Sequence, residues 1–302
     1  MTRINHPLSP VDRITMGAMR AYLKLQPEMV LTPAGREAYD AFIGAVPTAD
    51  GVMFEEAQIA GVNGWWCRPA DRQPGVAILY IHGGAFTLGS ARSYRHFASH
   101  LARAAGAVTF VPDYALAPEH PYPAALTDIR SVLRGLRATG VGRVGVVGDS
   151  AGGGLALAIV QMTDPGVEAS LPVIDTVVAL SPWTDLSLAA PGIAERTAAD
   201  PLLSRAQLKT AASLYAGHMQ DLRTPDLSPC FGLKGKMPPT MIHVGTDEIL
   251  LDDALAYEGV AEVHVWSGMT HVFPASLQSL EAAPKAIALS GAFLRAQLGR
   301  GA

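Results

Sequence analysis

Ser150 stands in the run Gly148-Asp149-Ser150-Ala151-Gly152-Gly153-Gly154, between the apolar stretch RVGVV and the helical stretch LALAIVQM. A serine hydroxyl is a weak nucleophile near neutral pH. It becomes useful when a base takes its proton and a third group orients that base. A Gly-x-Ser-x-Gly turn between a strand and a helix pushes the hydroxyl out where a substrate can reach it. Glycine is needed at 148 and 152, because a Cβ at either would run into the neighbouring strand and helix. The helix start behind Ser150 adds free N–H groups and the positive end of a dipole. The motif alone is a modest signal; its placement makes it a strong one.

The base and its orienting acid should follow in chain order, each past a later strand. Of the nine histidines, His243 and His264 fall inside predicted strands and read as core groups, and His218 falls in a long excursion. His271, in SGMTHVF, sits in a loop just past the last strand and is the candidate base. For the acid, TMIHVG runs into Thr246-Asp247-Glu248, with Asp252 and Asp253 close behind. Asp247 is the first carboxylate past the strand end and is the assigned acid. Glu248, Asp252 and Asp253 are its rivals, and helix capping is the ordinary job of such groups. A developing oxyanion needs preorganised N–H donors. The loop His82-Gly83-Gly84-Ala85-Phe86 follows strand VAILYI, and Gly83, Gly84 and the amide of Ala151 are the assigned donors. His82 reads as a group that orders this loop.

These side chains need a frame. Short apolar runs, VAILYI (76–81), AVTFVP (107–112), RVGVVG (143–148), DTVVAL (175–180), TMIHVG (240–245) and EVHVW (262–266), read as buried strands. Helical patterns lie between them near 92–104, 124–138, 151–162 and 250–258, with a last one near 282–298. This alternation predicts a mostly parallel α/β sheet flanked by helices. A leading hairpin, FEEAQIA and GWWCRPA, is expected around Gly61-Val62-Asn63-Gly64. Residues 1–45 and 183–237 break the alternation, and long excursions in compact domains are usually functional. The expected organisation is an N-terminal helical cap segment at 1–50 and a catalytic core at 51–302, with 183–237 contributing to the cap.

Composition narrows the partners. The 302 residues are 49% hydrophobic and 17% charged, with a net charge of −4 and no dense basic block, so nucleic acid is not expected. Arg130, Arg134 and Arg137 recur at helical spacing and read as a solvated face. No apolar stretch suits a signal peptide or a membrane span, so a cytoplasmic location without a membrane partner is expected. Cys67 and Cys230 are far apart and read as reduced thiols rather than a disulfide or zinc pair.

The pieces HGGAF, PDYALAPEHPYPAAL, GDSAGGGLALA, LSPWTDLS, VGTDEILLDD and GMTHVF, in that order, resemble the bacterial branch of the hormone-sensitive-lipase family of α/β-hydrolases. The resemblance spans roughly residues 76 to 275. It implies an α/β-hydrolase fold with an N-terminal cap and a carboxylic-ester hydrolase for short acyl chains, with no cofactor or metal. It implies the same roles for Ser150, Asp247, His271, Gly83, Gly84 and Ala151, and structural hydrogen-bonding roles for Asp113, Glu119 and Asp149. Similar sequences include acetyl esterases and hydrolases of cyclic terpene lactones, so a small-molecule ester is the expected partner. DDALAYEGVAEVHVW is several residues shorter than is usual for the family, so the helix after Asp252 should be cut to about two turns. A homodimer is the assembly the resemblance implies, and the shortened segment alters the surface it would use. An amidase resembling arylformamidases is the enzymatic alternative. A non-catalytic small-molecule receptor is the other alternative, although such receptors lack the catalytic histidine that is intact here.

Overall fold

The computed structural model describes residues 2–162, 171–233 and 237–299. Among the described residues nine strands form one sheet in the order β1-β9-β8-β7-β6-β4-β5-β3-β2. They are β1 (Arg3–His6), β2 (Val52–Ile59), β3 (Val62–Pro69), β4 (Val76–Ile81), β5 (Val108–Pro112), β6 (Arg143–Asp149), β7 (Val173–Leu180), β8 (Thr240–Gly245) and β9 (Glu262–Trp266). Only the pairs β2–β3 and β3–β5 are antiparallel. The central strands β4 and β8 are buried along their whole length, which is why their sequences read as continuous apolar runs rather than alternating ones.

Helices cover both faces. The chain order is α1 (Pro10–Leu23), α2 (Arg36–Gly44), α3 (Ala91–Ala105), α4 (Ala124–Ala138), α5 (Ser150–Met162), α6 (Gly192–Glu195), α7 (Arg205–Ala216), α8 (Leu251–Leu255) and α9 (Ala282–Leu298). One apolar cluster joins Leu126, Ile129 and Leu133 of α4 and Leu155 and Ile159 of α5 to the inward residues Leu79 and Val146 of the sheet. A second joins Phe97 and Leu101 of α3 and Ile287 and Leu294 of α9 to Ile78, Tyr80 and Val147. The alternating residues of β4 therefore feed opposite layers, as a two-sided sheet requires. Exposed Arg134 and Arg137 lie on the outer side of α4.

Several boundaries differ from the sequence expectation. The hairpin turn is Ala60-Gly61, whose left-handed φ values of 49° and 87° suit a two-residue connection; Val62 to Gly64 already belong to β3. The helix after Asp252 is only five residues long, shorter than the expected two turns. Residues 3–6 are a strand parallel to β9, not part of a helical segment. That strand is held by the His6 ring, which stacks on Trp266 at 3.7 Å and hydrogen-bonds His264 at 2.8 Å. Asp12 of α1 accepts from the amides of Glu281 and Ala282, capping the start of α9 and fixing the N-terminal segment to the core. Within the long excursion between β7 and β8, Ser204 and Gln207 form a reciprocal cap at the start of α7. Residues 234–236 of that excursion lie outside the described residues. Among the described residues no helix is long and apolar enough to cross a membrane.

Candidate active site

Ser150 directly follows the last residue of β6 and begins α5 with φ +52°, a left-handed backbone that a non-glycine residue adopts only under constraint. The constraint is steric. A Cβ at Gly148 would lie 2.3 Å from the Gly152 carbonyl oxygen, and one at Gly152 would lie 2.1 Å from the carbonyl oxygen of Ile81. The two glycines let β6, α5 and the end of β4 close on one another around the serine.

Ser150 Oγ lies 2.9 Å from His271 Nε2. His271 Nδ1 lies 2.9 Å from Glu248 Oε2. An ionised carboxylate only accepts, so Nδ1 carries the proton and Nε2 is left to accept from the serine hydroxyl. Glu248 is 0% exposed, and its other oxygen accepts from the Gly245 amide at 2.6 Å and the Ser181 hydroxyl at 2.9 Å. Ser181 Oγ also accepts from the amide of Val272, tying the acid to the loop that carries the imidazole. Burial pulls the His271 pKa down. The hydrogen bond and charge of Glu248, with the charges of Asp200 and Asp149, outweigh it and leave the pKa raised above 6.5.

The expected acid is therefore corrected. Asp247 faces away from His271, and its carboxylate takes a 2.6 Å hydrogen bond from Arg20 Nη2. Backbone pairing decides this: the amides of Thr246 and Asp247 bond the carbonyls of Trp266 and Met269. With the turn so fixed, residue 248 points inward and 247 outward. Being first past the strand is no guide to direction, and the extra methylene of glutamate spans the gap. The other two rivals are structural. Asp253 accepts from the amides of Thr184 and Asp185, and burial raises its pKa to about 8. Asp252 pairs with Arg196.

The donor assignment shifts by one residue. The Gly83 amide is already committed, donating to Asp149 Oδ1 at 2.9 Å. Tyr80 and Tyr94 donate to the same carboxylate, which burial raises to about 6 despite these bonds. Among the described residues the amides of Gly84, Ala85 and Ala151 have no protein acceptor. Gly84 (φ +110°) and Ala85 (φ +53°) form part of the cavity wall with Ser150. The sequence reading did not single out Ala85, because nothing in its type marks it. The signal lay in Asp149, an acid beside the nucleophile able to engage the first glycine amide. His82 is stacked between Tyr94 and Tyr114 at 5.1 and 4.3 Å, and burial lowers its pKa, so it sits as a neutral ring beneath the loop. Asp113 accepts from the Ala91 amide, and Glu119 pairs with Arg36 of α2.

The site opens into a cavity of about 410 Å³. Met19 and Leu23 of α1, Phe42 of α2, Leu202 and Leu208 line it together with His271, so its wall is mainly apolar. Among the described residues no three His, Cys, Asp or Glu side chains gather where a metal ion could sit. Cys67 and Cys230 are unpaired, and burial pushes both thiols up to about 12, which leaves them unreactive.

This geometry coincides with a match of residues 78–275 to the profile of an α/β-hydrolase-fold family. The solved structure of an esterase from the bacterial hormone-sensitive-lipase family superposes with a TM-score of 0.86 at 32% identity, covering 96% of this chain and 99% of that one. The chain belongs to that family. The esterase EstE5, solved after an ethyl alcohol soak, superposes with a TM-score of 0.84 at 31% identity, over 94% of this chain and 99% of its own. An acetyl-hydrolase of Streptomyces hygroscopicus is 36% identical over 287 residues, 92% of each chain. The matched residues include the turn that presents Ser150.

Proposed function

We propose that the protein is a serine carboxylesterase that hydrolyses short-chain acyl esters through an acyl-enzyme intermediate. The observation that carries this reading is the unbroken relay Ser150–His271–Glu248, with two 2.9 Å links, set in an apolar cavity beside uncommitted backbone amides. Relatives named acetyl-hydrolase and esterase support the choice of an ester.

In this mechanism Ser150 Oγ attacks the ester carbonyl carbon as His271 Nε2 takes its proton. The buried Glu248 carboxylate holds the Nδ1–H tautomer and stabilises the imidazolium. Negative charge gathers on the former carbonyl oxygen, where the amides of Gly84, Ala85 and Ala151 receive it. The C–O bond to the alcohol breaks and His271 returns the proton to that oxygen. Water then attacks the acyl-enzyme, giving its proton to His271, and Ser150 leaves with that proton as the acid departs. No redox or metal step is needed. We read α1, α2 and the 183–233 excursion as a cap whose side chains bound the acyl group. At about 410 Å³ the cavity is near the low end of ligand pockets, roughly 300–1,000 Å³. A lactone presents the same carbonyl and falls within this proposal.

The test is a series of p-nitrophenyl esters with a lactone and a matched anilide alongside. Acetate and butyrate should turn over faster than decanoate, and Ser150→Ala should lose on the order of a million-fold in kcat. Full turnover by Ser150→Ala would remove the proposal, and faster anilide cleavage would redirect it to an amidase.

A further inference from the structure

Asp200 lies in the excursion between β7 and β8, outside the relay, yet the residue is only 7% exposed. One oxygen accepts from the amides of Leu202 and Leu203 at 2.9 and 3.0 Å. The other accepts from the amide of Ile249 at 2.9 Å. Ile249 directly follows Glu248, while Leu202 and Leu203 line the cavity that holds Ser150. A second tie lies on the other side of Glu248. Arg20 of α1 bonds the Ala199 carbonyl, the Asp247 carboxylate and the Gly268 carbonyl. The turn that carries Glu248 is thus gripped on both flanks by residues 199–200 and α1.

A capping role alone does not require a buried negative charge. Desolvation raises the Asp200 pKa, helped by the nearby Glu248 charge, while the His271 charge and the amides of Ile249 and Leu202 work against that rise. The acidic groups facing the imidazole are Glu248 from the turn after β8, Asp149 from the end of β6 and Asp200 from the excursion. Asp149 is spent on Tyr80, Tyr94 and Gly83, and Glu248 on His271 itself. Asp200 is the one that ties the cavity wall to the acid turn.

We propose that Asp200 is a positioning residue for ester hydrolysis: it fixes the turn that holds Glu248 against His271, and its charge stabilises the imidazolium formed in each step. Asparagine at 200 is nearly isosteric but has one acceptor oxygen. Its NH₂ group must oppose either the Ile249 amide or the amides of Leu202 and Leu203, so at least one tie is lost.

This inference rests on the esterase reading, and the two fail separately: turnover by Ser150→Ala removes that reading, whereas a wild-type profile for Asp200→Asn removes only this one. The experiment is the pH dependence of kcat and kcat/KM for p-nitrophenyl butyrate hydrolysis by wild type, Asp200→Asn and Asp200→Glu, with Tm measured in parallel. For Asp200→Asn, kcat should fall about tenfold with KM changed less than about threefold, a loss in the transition state rather than in ground-state binding. The acidic limb of kcat/KM should move to lower pH, because removing a negative charge lowers the His271 pKa. Asp200→Glu keeps the charge, so its limb should stay at the wild-type position while kcat falls. A fall in Tm or kcat with an unmoved limb in Asp200→Asn means a purely structural role and overturns the proposal, as does unchanged kcat. If Asp200→Asn does not fold, Asp200→Ser, which has no charge, is judged by the same limb shift.

Discussion

Two of the turns that feed the relay, one after β6 and one after β8, are held in different ways. The serine turn is held by steric exclusion. Its glycines sit where any Cβ would meet a backbone oxygen at close to 2 Å, so the residue types themselves carry the geometry. The acid turn is held by long-range ties: Arg20 from α1, Asp200 from the excursion, Ser181 after β7 and the carbonyls of Trp266 and Met269. None of these is near 248 in sequence. A turn fixed by its own glycines can be read from a chain, whereas a turn fixed by distant partners cannot.

The sharpest way to break this comparison is to neutralise the two neighbouring acids in turn. Glu248→Gln should lower kcat on the order of 10⁴-fold, because the amide no longer selects the Nδ1–H tautomer. Asp247→Asn should stay within about fivefold in kcat. Its stability loss should be under about 1 kcal/mol, since the pair with Arg20 is a quarter to a third exposed and screened by solvent. Steady-state kinetics and urea melts check both, and the reverse order of effects would restore Asp247 as the acid.

A Cβ at Gly84 would lie 2.3 Å from the Leu88 carbonyl oxygen, on a backbone with φ +110°. Gly84→Ala should therefore displace the amides of 84 and 85 and cost roughly two to three powers of ten in kcat. A loss in KM alone would assign this loop to binding instead.

The pH response tests the contact of Glu248 with His271 without a substitution. His271 must be neutral to accept the serine proton, and its pKa is raised above 6.5. Activity should be full above that raised value and should fall about tenfold per unit below it. A kcat/KM limb with its midpoint under 6.5 would mean that Glu248 does not dominate the imidazole.

Most strands and helices, and the approach of Ser150 to His271, were legible in the sequence because apolar period and glycine placement are local statements. The order β6–Ser150–α5 was legible because the apolar run RVGVV leads through small residues into the helical stretch LALAIVQM. Glu248 was visible only as a rival to Asp247, since its direction depends on pairing with β9 and on Ser181. Gly83 appeared free until Asp149, 66 positions away, was seen to take its amide. Strand β1 was missed because four residues, RINH, carry no period, and what fixes them is ring stacking on Trp266. The shortened helix was anticipated from the family resemblance, but its further trimming to five residues was not.

One alcohol doing covalent chemistry is the claim beneath the rest, and a fluorophosphonate probe addresses it directly. Treating the protein with the probe and locating the adduct by peptide mass spectrometry should find one phosphonyl group on Ser150, with ester hydrolysis lost in proportion to labelling. Hydrolysis that continues in fully labelled protein, or an adduct on any other residue with Ser150 unmodified, would contradict it.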